Sequence, residues 1–170
     1  MLPPVHLAVA YLLYAALACW RTGDPPGGRA TLAAIVGGAL PDLIDQPLFY
    51  ALGLSSTRTL GHSLLVAVPV SVLALVLARR GWVSTGVAVA FAMGYLAHPA
   101  ADALWPLVYG AGEELGFLLW PLLHSPDYPS QRPLLSVAGT TVTTTWAEIP
   151  LLVTVLVVWW RDGAPGVRRW

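Results

Sequence analysis

Seven acidic and histidine side chains, set at intervals along an otherwise apolar chain, could do chemistry: His6, Asp42, Asp45, His62, His98, Asp102 and Glu148. Neutral imidazoles offer nitrogen and carboxylates offer oxygen to a divalent cation, and a mixed set of this kind suits zinc. His98 and Asp102 stand four residues apart, so a helix projects both from one face toward a common ion. Asp42 and Asp45, three apart, do the same if the backbone between them is helical. His62 lies in Gly61-His62-Ser63, where Ser63 is the better helix cap, so capping does not account for the imidazole.

The elements that must position these groups are membrane helices. The 170 residues are 56% hydrophobic and only 11% charged, against about 25% charged in soluble domains. Apolar runs between breakers cover Pro4 to Trp20, Ala30 to about Leu54, His62 to Ala78, Trp82 to Trp105, and Ala147 to Trp160. The expected fold is therefore an all-α polytopic bundle of about five segments, forming one integral membrane domain over residues 1–170. The first run lacks a basic flank and a small-residue cleavage site and reads as a structural helix. Pro41 and Pro47, bracketing two carboxylates, predict that the second segment is broken there. A net charge of zero argues against a nucleic-acid partner, and the single cysteine, Cys19, has no internal disulfide partner.

Arginines orient the bundle. Arg21 and Arg29, Arg79 and Arg80, and Arg161, Arg168 and Arg169 fall in loops on one side, while Arg58 and Arg132 fall on the other. The positive-inside rule then places the N-terminus outside and the C-terminus in the cytoplasm of a multi-pass cell-membrane protein. The long connection from Pro106 to Thr145, flanked by Trp105 and Trp146 and carrying Trp120, Tyr109 and Tyr128, is expected along the outer interface. At ~1.5 Å of rise per residue, the seven polar side chains sit roughly 18–30 Å from the cytoplasmic ends of their segments. They share one layer, towards the outer face of the bilayer.

Each residue also has a simpler reading. His6 could be interfacial, and Asp42 after Pro41 could be a cap or turn aspartate. Asp45 could pair with Arg58, His98 with Asp102, and Glu148 could favour the positive end of its helix. His124, Glu113 and Glu114 suit a solvated loop, and Gly37, Gly38 and Gly94 suit close helix contacts. What the simpler readings leave unexplained is the coincidence of so many ionisable groups at one depth, where each is costly unless it faces the bundle interior and finds partners.

The motifs His6, Gly38-Ala39-Leu40-Pro41-Asp42-Leu43-Ile44-Asp45, Arg58-Thr59-Leu60-Gly61-His62-Ser63 and Gly94-Tyr95-Leu96-Ala97-His98 with Asp102 resemble, in order and spacing, the YdjM-type family of membrane-bound, predicted metal-dependent hydrolases. Asp45 stands one place from the usual position, Gln46 follows it, and Gly61 replaces a usual threonine. The order Asp42, His62, His98, Asp102 is also similar to the ligand order of zinc-dependent phospholipase C enzymes.

Together these readings lead to a membrane-embedded metal-dependent hydrolase. His6, Asp42, His62, His98 and Asp102 are the expected ligands of a divalent metal, with zinc as the first choice. Asp45 and Glu148 are the expected catalytic carboxylates, and Arg58 is expected to meet a phosphate or carboxylate oxygen. The expected partners are the lipid bilayer and an amphiphilic or phosphoester substrate at the outer leaflet. The competing expectation is a non-enzymatic protein, either a proton or cation carrier or a bundle locked by its polar cluster, although the apolar cytoplasmic halves of the helices offer a carrier no path.

Overall fold

Two prolines start the first helix, where a missing N–H leaves no bond unmade, and left-handed Gly23 ends it. In the computed structural model, which describes residues 2–125 and 142–168, α1 (Pro3–Thr22) is followed by α2 (Gly28–Leu52), α3 (Leu64–Arg79), α4 (Thr85–Val108), a 3₁₀ helix (Gly112–Leu119) and α5 (Val142–Arg161). Ser63 and Ser84 cap α3 and α4 through their hydroxyls, which accept from Leu65 N and Val87 N. Each α-helix overlaps one segment expected from the sequence. Among the described residues, α1, α2 and α4 are long and apolar enough to cross a membrane, and α3 is apolar but shorter. Arg132, Tyr128, Arg169 and the side chain of Trp146, all used above for orientation, lie outside the described residues.

The bundle centres on α2 and α4, which share the most extensive contact, with α1 against both, α3 on α4 and α5 on α1. Small residues make this possible. A Cβ on Gly37 would stand 2.3 Å from Phe91 O, and one on Gly94 would stand 2.1 Å from Ala34 O, so the two backbones touch. Gly38 brings α1 equally close, since a Cβ there would meet the Cβ of Ala10 at 2.9 Å. The interior is built of small side chains such as Ala8, Ala10, Ala34, Ala88 and Ala90 with Tyr11, Tyr14 and Tyr95, while Leu43, Val72, Leu73 and Leu107 point outward. Large apolar side chains outside and alanines inside is the arrangement expected when the surrounding solvent is hydrocarbon.

One expectation needs correction: α2 is not broken. It continues through Pro41 and Pro47 for 25 residues. Tight packing supplies the reason. The backbone around Pro41 is hemmed in by α1 and α4 through Gly37 and Gly38 and by the α2–α3 loop, because a Cβ on Gly61 would lie 2.7 Å from Pro41 O. A proline in such a setting loses one hydrogen bond, but the neighbouring elements hold the helix and can satisfy the carbonyls it frees. Contact with Pro41 also explains the glycine at 61, where the related pattern has threonine.

Candidate metal centre

Three helices and one loop converge on the site: α1 brings His6, α2 brings Asp42 and Asp45, the α2–α3 loop brings Arg58 and His62, and α4 brings His98 and Asp102. Their relative placement is fixed from behind, beginning with Asp45. This fully buried carboxylate accepts from Thr59 N at 2.7 Å, Thr59 Oγ1 at 3.1 Å, Gly61 N at 2.8 Å and His62 N at 3.2 Å. Its Oδ2 also faces His62 Nδ1 at 2.7 Å. A carboxylate surrounded by donors is an acceptor, so the proton of a neutral His62 ring belongs on Nδ1, and Nε2 carries a bare lone pair.

His98 is fixed in the same sense by a different partner. Its Nδ1 lies 2.6 Å from Gly38 O, and a carbonyl can only accept, so the neutral ring again presents a bare Nε2. The donor for that carbonyl within a regular helix would be the amide of Asp42, one residue past Pro41, so the proline turn is where α2 can offer an oxygen sideways. The two bare nitrogens point at each other across 3.1 Å. With both rings neutral the two lone pairs oppose one another; a proton on either Nε2 would make the contact an N–H···N hydrogen bond, and a cation between them would turn it into ligation. Two nitrogens each about 2.0–2.1 Å from one tetrahedral ion stand roughly 3.3 Å apart, close to this spacing.

Oxygen donors close around the same point. Asp42 Oδ1 lies 3.6 Å from His62 Nε2 and 3.8 Å from His98 Nε2. Asp102 Oδ2 lies 3.4 Å from His62 Nε2 and 3.8 Å from His98 Nε2. His6 reaches the other oxygen, with Nε2 3.4 Å from Asp102 Oδ1, and its ring stacks on His98 at 3.7 Å between centroids. Ligand atoms of His6, His98 and Asp102 form one cluster within 4.8 Å, and those of Asp42, His62 and His98 form another. Both draw on His98, whose other nitrogen is committed to Gly38, so the clusters overlap on a single donor atom. The donor set thus fits a divalent ion such as zinc by chemistry, by tautomer and by spacing.

The remaining expected residues are placed differently from one another. Arg58 forks onto Asp102, with Nε 3.0 Å from Oδ2 and Nη2 3.1 Å from Oδ1, and its guanidinium lies over the Phe117 ring. Asp45 is close, but it lies behind His62, on the Nδ1 side of the ring and away from the converging Nε2 atoms. From there its contact with the site is through the His62 ring, whose orientation it fixes. Glu148, buried on α5, accepts from Leu2 N at 3.2 Å through Oε2 and so contacts the entry of α1. His124 is exposed and outside the cluster.

Sequence reasoning did not single out Thr59, the Gly38 carbonyl or Phe117. Thr59 lies inside the motif around His62 and could have been suspected from it. A backbone acceptor has no sequence signature, and Phe117 sits in a connection whose path was not readable.

The sequence matches the family described as YdjM inner membrane protein over residues 1–166. The chain belongs to the YdjM inner membrane protein family. Membership agrees with the resemblance drawn from the His6, Asp42, His62 and His98 motifs and with the apolar spans of α1, α2 and α4. Neither the curated proteins nor the solved structures compared with this YdjM-family chain yield a match. The likeness to phospholipase C in ligand order gains no support from these comparisons.

Proposed function

We propose that this chain is a membrane-embedded metal-dependent hydrolase acting on a phosphoester or another amphiphilic ester. The observation that carries the reading is the opposition of His62 Nε2 and His98 Nε2 at 3.1 Å, both turned inward by acceptors behind them. In this reading Asp42, His62, His98 and Asp102 hold the ion, His6 supports Asp102, and Asp45 fixes the tautomer of His62. When bound, a divalent ion, with zinc the first choice, supplies Lewis acidity for an ester oxygen and acidifies water. Arg58 steadies Asp102 and brings a positive charge to the site that an anionic oxygen of the substrate would meet. Following the arginine distribution, the N-terminus is outside, the C-terminus is cytoplasmic and the site lies towards the outer face.

The test is elemental analysis of detergent-purified protein beside a His98→Ala, Asp102→Ala double variant. Roughly one divalent ion per chain, lost in the variant, is expected; metal-free, well-folded wild type overturns the proposal. One observation favours a second reading, a bundle merely stapled by metal: His6, His62, His98 and Asp102 are each 4% exposed or less. Phosphoester and lipid-ester turnover by the metal-loaded protein separates the two readings.

A further inference from the structure

Exposure is uneven around the site, and the unevenness has a direction. The side chains of His6, His62, His98 and Asp102 are 3% exposed or less, whereas Asp42 is 25% and Arg58 18% exposed. The end of the bundle where α2 and α4 finish is covered. Phe117, with no exposed surface, meets His62 edge-on at 6.3 Å and carries the Arg58 guanidinium 5.4 Å above its ring. The chain after it is fastened to the α2–α3 loop at two points: Ser63 Oγ donates to Trp120 O at 2.7 Å, and Ser125 Oγ donates to Arg58 O at 2.6 Å. A Ser56–Ser125 hydroxyl bond of 2.8 Å completes the fastening.

Asp42 opens elsewhere. It lies ten residues before Leu52, about 15 Å down the helix from that end, a depth that belongs to acyl chains rather than to water. Leu43 next to it is 64% exposed, and Leu60, beside the glycine that rests on Pro41, is 38% exposed. A partly uncovered carboxylate at such a depth is costly unless a polar group meets it there. A molecule dissolved in the bilayer can bring a polar head to it from that side.

We infer that the substrate enters sideways from the bilayer as an anionic amphiphile, its phosphoester head between Arg58 and the metal-binding groups and its apolar tail leaving past Asp42 and Leu43. The inference rests on the metal-centre reading and deepens it by naming the substrate class and its route. A water-soluble phosphoester would have to come through the end that Phe117 and its hydroxyl fastenings cover.

The experiment uses the full chain, loaded with zinc, in lipid nanodiscs. Zinc release is followed with EDTA, which stays in water, and with phenanthroline, which partitions into the bilayer. Phenanthroline is expected to strip zinc several-fold faster than EDTA, Leu43→Trp to slow the phenanthroline reaction, and dodecyl phosphate to protect the metal where equal inorganic phosphate does not. Equal stripping by both chelators, or equal protection by both phosphates, overturns the sideways route while leaving the metal centre standing. Failure of wild type to hold zinc overturns the metal-centre reading and this inference with it.

Discussion

His62 and His98 turn their Nε2 atoms toward each other at 3.1 Å because Asp45 and the Gly38 carbonyl hold their Nδ1 atoms from behind. The pair is thus set by two residues of one helix, α2, acting on a loop and on α4. Cobalt is a direct probe of the arrangement. Titrating the purified protein with Co²⁺ is expected to give the intense visible bands of a four-coordinate N/O site, weakened and shifted in His62→Ala. Protons compete for the same lone pairs, so metal retention should weaken as pH is lowered. A metal affinity that does not weaken with falling pH would count against neutral imidazoles as ligands.

Asp45→Asn tests orientation apart from ligation. The amide keeps the shape of the carboxylate but brings two donors of its own to a ring of donors from Thr59, Gly61 and His62. Each buried donor left unmatched costs about 1–3 kcal/mol, and an outer-sphere partner of a ligand is worth roughly 10–100-fold in metal affinity. The expected outcome is a lower melting temperature with weakened zinc affinity by competition titration. Wild-type affinity with lowered stability would confine Asp45 to holding the loop.

Gly94→Ala should be among the most damaging small changes in the chain. The added Cβ would fall 2.1 Å from Ala34 O, backbone against backbone, with no flexible side chain to yield. Overpacking of this kind costs about 1–3 kcal/mol and at times more. Gly27→Ala is the matched control, since nothing lies within 4 Å of its Cβ. Thermal unfolding in detergent should separate the two clearly; similar melting temperatures would show that α2 and α4 can move apart at little cost.

Arg58→Lys keeps a positive charge and loses the fork that grips both oxygens of Asp102. Hydrogen bonds to charged groups are worth about 1.5–3 kcal/mol, so a drop of roughly tenfold or more in phosphoester turnover is expected, with zinc stoichiometry unchanged. Loss of zinc instead would make Arg58 a support of the metal centre rather than a substrate group.

Much of this was readable beforehand, for identifiable reasons. Helical rise converts sequence spacing into depth, which is why His6, Asp42, His62, His98 and Asp102 could be assigned to one layer and are found together. Glu148 shares the depth, but helix order around the bundle is not encoded in spacing, and its partner is Leu2 N. The role of Asp45 was hidden because donors supplied by the backbone of Thr59, Gly61 and His62 exist only once the loop has folded back. Pro41 and Pro47 suggested a break because proline is judged locally, whereas the continuity of α2 depends on glycine contacts with three other elements.

The enclosure of Asp45 also bears on how the protein is made. A carboxylate in the middle of an apolar helix is a poor passenger for lateral release from an insertion machinery into lipid, and α2 carries Asp45 with Asp42 one turn away. The donors that quiet Asp45 are synthesised 14 to 17 residues later. The second helix and the loop after it therefore form one unit as far as the burial of Asp45 is concerned, since its carboxylate is matched only when the loop through His62 is in place.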